Sequence, residues 1–171
     1  MNKYVVPKKE DVVWFAGFFD GEGCVTLHRK LRRNGKPCYE LLIQVAGTHF
    51  LTLDTLSKIW GFGTVRLPKF ANIRWKPCWH WLVYGSKALF LLENILPYLV
   101  TKKGDAILGI TFQKWKTSEA IIYGKNYRPS ESYDNESKFK DWLSISHKSG
   151  VTVDILREAE NILKSKINGV K

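Results

Sequence analysis

Asp20 and Glu22 stand two residues apart, with Gly21 between them and Gly23 after, at the end of a run without charge: from Val12 to Phe19 no side chain is ionisable. Such a run reads as a helix covered on most of its sides. The C-terminal pole of a helix is negative, and acids placed there are destabilised unless a cation comes to them. Gly21 leaves a backbone carbonyl accessible beside them. The chemistry this predicts is the holding of a hard, oxygen-liganded ion such as Mg2+. A plainer reading fits equally: the two acids begin a polar turn after a buried helix, and position and composition alone leave both open.

Within the same stretch Gly17 and Gly21 lie four apart, on one helix face, with Ala16 beside them. A stripe of small residues lets a second helix approach until the backbones nearly touch, a pattern best known in membranes. The run is too short, and too closely followed by acids, to span a bilayer. A close helix–helix contact inside a soluble protein or dimer is the expectation.

The ten residues Trp14-Phe15-Ala16-Gly17-Phe18-Phe19-Asp20-Gly21-Glu22-Gly23 resemble the LAGLIDADG motif of homing endonucleases and related intron maturases. They depart from it in Phe18-Phe19, where the motif has Leu-Ile, and in Glu22, where it has Asp. The resemblance implies that motif helices from two chains pack at a two-fold axis, which would set Phe15, Ala16, Gly17, Asp20 and Gly21 at a homodimer interface. It implies that Glu22 binds a divalent metal, Mg2+ or Mn2+, with the Gly21 carbonyl as second ligand. Glu keeps the carboxylate and adds one methylene.

The chain has 171 residues, 44% of them apolar, enough for one domain with a real core. Its formal net charge is +11, which points to a polyanionic partner. The charge is local. Between Cys24 and Lys87 eleven Lys/Arg face only Glu40 and Asp54, a surplus of nine. Three cysteines without CxxC spacing argue against a disulfide framework and for a reducing compartment, an organelle or a prokaryotic cytoplasm. A zinc site from Cys78 and His80 with Cys24 or His28 lacks the paired spacing of structural zinc. No signal peptide or membrane-length apolar run is visible, so no membrane partner is expected.

From Cys24 the pattern changes to period two, the mark of a strand with one buried and one polar face. Asn34-Gly35 marks a turn, and Tyr39 to Val45 returns. A two-residue turn would set Thr26 beside Ile43, mixing the faces. A three-residue loop sets Val25 by Val45, Leu27 by Ile43 and Lys30 by Glu40, and is favoured because a one-residue slip flips every side chain. Arg29 and Leu42 remain exceptions. The polar face so defined, Thr26, His28, Lys30, Arg32, Glu40 and Gln44, carries groups that read base edges in a major groove. Arg33 adds charge at the turn. An ordinary solvated face would also alternate; the excess of cations favours nucleic acid.

Thr48 can cap a helix over 50–60, ended by Gly61. Strands over 64–67 and 75–84 follow, and Arg66, Lys69, Arg74 and Lys76 on and between them suit phosphate contacts. Alternation does not settle which face Trp75, Trp79 and Trp81 take. Helices over 86–96, 103–120, 137–147 and 152–167 complete the chain, with a loop over 123–136. The lysine pair Lys102-Lys103 at a helix start works against the dipole. Pro97-Tyr98-Leu99-Val100-Thr101-Lys102-Lys103 is similar to a second segment of the same endonucleases, which implies that Lys102 lies near the scissile phosphate. A glutamine common in that family after the second strand is replaced by Gly47, with Thr48 or His49 as possible substitutes.

The expected fold is α+β, αββαββα with a four-stranded antiparallel DNA-binding sheet and C-terminal helices, a single domain over 1–171 with its core in 8–120. The resemblance covers residues 10–115 and implies a homodimeric, intron-encoded endonuclease cutting double-stranded DNA at a near-palindromic site. The alternative it leaves open is a maturase that binds intron RNA without cutting.

Overall fold

The structure, a computed structural model, describes residues 4–32, 35–68, 76–123 and 129–168. The elements in order are α1 (Lys9–Glu22), β1 (Gly23–Leu31), β2 (Pro37–Gly47), α2 (Phe50–Trp60), β3 (Thr64–Arg66), β4 (Trp79–Tyr84), α3 (Gly85–Ile95), a 3-10 turn (Leu96–Tyr98), α4 (Lys103–Tyr123), α5 (Ser130–Ser149) and α6 (Val153–Asn168). The first seven give the expected αββαββα order. The four strands form one sheet, β1-β2-β4-β3, in which β2–β4 and β3–β4 are antiparallel.

The chain falls into two compact units: Met1–Val25 with Leu42–Lys102, and Thr26–Leu41 with Lys103–Lys171. The first is built on aromatic packing under the sheet. Phe15 and Phe19 of α1 are fully buried, and the Phe15 ring meets Trp60 and Trp81 edge-on, each at 5.6 Å. Burying each such ring contributes about 1.5–3 kcal/mol, so this cluster fixes where α1 ends. That end is abrupt: a Cβ on Gly23 would lie 2.1 Å from the Phe19 ring, so only glycine lets the strand start directly over the helix. The second unit packs α4, α5 and α6 around Phe112, Trp115 and Phe139.

The buried residues Val25, Leu27, Ile43 and Val45 keep the expected alternation on β1 and β2, and Lys30 pairs with Glu40. The register of β4 settles the tryptophans. Trp81 is fully buried and Trp79 has the same parity, its ring against Phe50 at 4.9 Å. Both face the helices. Trp75 lies outside the described residues.

Three boundaries differ from expectation. β4 begins at Trp79. The N-cap of α2 is His49, without a side-chain cap bond, so Thr48 does not cap it. α5 begins at Ser130, inside the expected loop. There the helix turns polar residues inward: Ser132 and Glu136 are buried, and Ser132 Oγ donates to Glu119 Oε1 at 2.6 Å. A helix that buries satisfied polar groups shows no apolar stripe.

Candidate functional site

The two acids of the motif have separate fates. Asp20 turns into its own chain. Its Oδ2 accepts from the Val100 N–H at 2.8 Å, and its Oδ1 from the Thr101 hydroxyl and the Lys102 N–H, both at 3.0 Å. Burial raises the carboxyl pKa, but the bonds from Lys102, Val100 and Thr101 outweigh it and hold the group below its ordinary value. Asp20 is therefore the acid that fastens residues 100–102 to the end of α1. Glu22 is exposed, and it lines a cavity of about 400 Å3 with Phe18, Ala46, Gly47, Thr48, His49, Thr52, Leu53 and Cys78.

Lys102 is half-buried, and its Nζ donates to the Asp20 main-chain oxygen at 2.5 Å. The lysine thus precedes α4 in sequence while its charge sits at the negative pole of α1, where a cation is stabilised. The apparent conflict with the dipole of the following helix disappears.

Several expected interface residues are corrected. Phe15 and Ala16 are fully buried within their own chain and cannot touch a partner, because they belong to the aromatic core. The carboxylate of Asp20 is directed at residues 100–102 and not outward. Gly17 and Gly21 are exposed, and nothing lies within 4 Å of a Cβ built on either. Beside them Val13 and Trp14 are 42% and 47% exposed, and the Trp14 ring stacks on Phe18 at 5.6 Å. The open face of α1 keeps the expected Gly17–Gly21 stripe, with Val13 and Trp14 beside it in place of Phe15 and Ala16.

On the side of the sheet opposite the aromatic core, β-ladder partners Gln44–Leu82–Thr64 and Ala46–His80–Arg66 form two cross-strand rows. Gln44 and Arg66 were expected there; Thr64, His80 and Tyr84 were not. Apolar Leu82 and Leu42, the latter 7% exposed, hide the alternation that would have revealed them. In the other unit Thr26 is half-buried and His28 exposed, Lys30 is engaged by Glu40, and Arg32 lies against Tyr133. Lys76 is exposed. Arg33, Lys69 and Arg74 lie outside the described residues.

Gly47, where the glutamine was expected, forms part of the cavity wall that Glu22 shares, and a Cβ there would meet nothing within 4 Å. His49 Nδ1 is 2.9 Å from the Thr52 hydroxyl at the same mouth. Thr52 and Cys78 also line it, and nothing in the sequence pattern places them there. Among the described residues no three His, Cys, Asp or Glu converge as a metal site, and His80 sits in the sheet ladder.

In the order and arrangement of its helices and strands the chain shares the fold of solved LAGLIDADG homing endonucleases. The DNA endonuclease I-CvuI of Chlorella vulgaris is 33% identical over 100 residues, which are 56% of this chain and 58% of that protein. The chain therefore aligns with less than two thirds of that relative's length. A solved structure of I-CvuI with the I-CreI target in 2 mM Mg, its DNA not cleaved, superposes with a TM-score of 0.64 at 22% identity over 92% of this chain and 95% of that one. The archaeal intron-encoded homing endonuclease I-Vdi141I, complexed with DNA, gives a TM-score of 0.62 at 14% identity over 94% and 98%. The LAGLIDADG meganuclease I-AabMI, bound to uncleaved DNA, gives 0.59 at 18% identity, with 88% of this chain covering 49% of that one. No family model matches the chain. The resemblance drawn from Trp14 to Gly23 and the expected α+β fold both hold.

Proposed function

We propose that the chain is a site-specific double-strand DNA endonuclease that works as a homodimer and hydrolyses one phosphodiester in each strand with a divalent metal, Mg2+ or Mn2+. The observation that carries this reading is the division of labour at the end of α1. Asp20 is consumed by its own chain, and Glu22 is left exposed in a cavity. A buried helix has no structural need of that second acid.

The donors fit a hard cation. The Glu22 carboxylate and the Gly21 carbonyl, one residue before it, are oxygen ligands at the negative pole of α1. Among the described residues of one chain no three His, Cys, Asp or Glu converge; the Glu22 of a second copy would complete the site. When bound, such an ion lowers the pKa of coordinated water and neutralises charge on the leaving oxygen. Lys102, half-buried beside the same helix end, would supply a fixed cation to the phosphorane-like transition state.

Three further features support the reading. The exposed Val13, Trp14, Gly17 and Gly21 face of α1 suits a second copy of itself across a two-fold. Gln44, Thr64, Arg66 and His80 present donors and acceptors on one sheet face, as base readout needs. Thr26 and His28 on β1 carry groups of the same kinds, and Lys76 with Arg33, Lys69 and Arg74 would hold phosphates. No helix among the described residues is long and apolar enough to cross a membrane.

The test is a cleavage selection from a randomised inverted-repeat duplex library, with and without Mg2+, run beside Glu22→Gln. A palindromic product that requires both Mg2+ and Glu22 is the expected result. Full cleavage by Glu22→Gln would remove the metal assignment, and binding without cutting in any metal would remove the nuclease.

A further inference from the structure

The turn joining β1 to β2 is held from below by one face of α5. Gly35, at φ +75°, donates its N–H to the Arg32 oxygen at 2.9 Å, and the Arg32 N–H donates to the Lys36 oxygen at 3.0 Å. Arg32 and Lys36 are thus tied across the turn, and both side chains come to the same aromatic ring. The Arg32 guanidinium carbon lies 5.7 Å from the Tyr133 centroid, and the Lys36 ammonium 5.1 Å. One helical turn along α5, the buried Glu136 accepts the Tyr39 N–H at 3.1 Å and pairs with Lys116 at 3.5 Å. The spacing of three places Tyr133 and Glu136 on one helix face.

Two features make this more than packing. Like charges repel, so two cations brought to one ring concentrate positive charge at that spot. Long cationic side chains also lose rotamer freedom when they bind, and fixing them beforehand removes that loss from the binding step. A guanidinium held against a ring keeps its N–H edge available for an anion.

We propose that Tyr133 is a positioning residue that holds Arg32 and Lys36 as a preset clamp for DNA backbone phosphates. The inference rests on the DNA-binding reading above and adds a residue from α5 to it. Arg32, expected from the sequence to face base edges, is here a backbone contact, as is Lys36. Backbone contacts set register without reading sequence, so the clamp acts on any duplex and its test requires no knowledge of the target.

The experiment is a double-mutant cycle on the full chain, read as fluorescence-anisotropy affinity for a mixed-sequence duplex over a series of salt concentrations. Arg32→Gln with Lys36→Gln should flatten the log–log salt dependence by about two units for each chain on the duplex, hence about four for a homodimer. Tyr133→Ala should weaken binding on the order of fivefold per chain in the otherwise unaltered protein, from two cation–π contacts. In the Arg32→Gln/Lys36→Gln background it should have less than half that effect, and Tyr133→Phe should bind normally. Equal loss from Tyr133→Ala in both backgrounds, or a loss from Tyr133→Phe as large as from Ala, overturns the clamp. Tyr133→Leu keeps apolar bulk without the ring and carries the same cycle if the alanine variant does not fold. Failure of the unaltered protein to bind any duplex takes down the clamp together with the function it rests on, whereas uniform loss overturns the clamp alone.

Discussion

Lys102 and Asp20 hold each other by main chain and side chain at once: the Lys102 ammonium donates to the Asp20 carbonyl at 2.5 Å, and the Lys102 N–H donates to the Asp20 carboxylate at 3.0 Å. Under the proposed function the lysine has two separable roles. As a counter-charge at a helix terminus it is worth about 0.3–1 kcal/mol. As a transition-state cation its removal should cost about a hundredfold or more in rate. Lys102→Met is expected to lower the urea midpoint only slightly, leave duplex affinity nearly intact and reduce single-turnover cleavage by that larger factor. A rate loss no bigger than the stability loss accounts for would confine Lys102 to the helix end.

Asp20 makes a prediction about acid. Its carboxyl is held below the ordinary value by bonds from Lys102, Val100 and Thr101, against the opposing effect of burial. A folded-state pKa below the unfolded one gives stability that is complete above the unfolded value, about 3.9, and lost as pH falls through the lower folded value. Asp20→Asn cannot accept from all these donors, and its amide nitrogen would face an N–H. It should destabilise by about 1–3 kcal/mol at neutral pH. Urea unfolding followed from neutral pH down into the acid range should show the variant's deficit shrinking toward the acid end. A deficit independent of pH would mean that the charge on Asp20 contributes nothing.

The helix order and the acidic motif were readable because each rests on local signals: period, turn residues, and charge at a helix end. Glu22 needed no tertiary information to stand out. The division between Asp20 and Glu22 was not readable, since it depends on residues 100–102, eighty positions away in sequence, reaching the end of α1. The interface error has a similar origin. Ala16 and Gly17 are neighbours of similar size, and only the position of the aromatic core decides which of them faces outward. His80 was hidden because apolar residues stand on both faces of β4, Thr64 because β3 is only three residues long, and α5 was shortened because its inward face is polar. Tyr133 sat in what read as a loop, so its approach to Arg32 and Lys36 left no trace in the pattern.

Gly47 offers a gain-of-function test. A Cβ at this position meets nothing within 4 Å, and the residue borders the cavity that Glu22 lines. Gly47→Gln should therefore fold with unchanged or slightly raised stability, since glycine in a strand carries an entropic cost of about 0.5–1 kcal/mol. An amide there would order water beside Glu22, and single-turnover cleavage at saturating Mg2+ should accelerate. A slower rate with normal duplex affinity would show instead that the space itself is needed, for the phosphate or for water already held by Thr48 and His49.

Gly17 separates the helix as a monomer from the helix as an interface. It is exposed in the middle of α1, and a methyl group on it would touch nothing within 4 Å. In a chain that worked alone, alanine would be the better residue by about 1 kcal/mol, because glycine gives up more backbone freedom on entering a helix. The cost is offset if another backbone must come close, and the neighbours Val13 and Trp14, exposed by 42% and 47%, supply the apolar surface for it. Gly17→Ala is thus expected to raise monomer stability, measured by urea unfolding at dilution, while weakening self-association in sedimentation equilibrium. Gly17→Leu should abolish association and leave the monomer folded. Should Gly17→Leu associate as tightly as the unaltered chain, the open face of α1 is not where two copies meet, and the second Glu22 would have to reach the metal by another route.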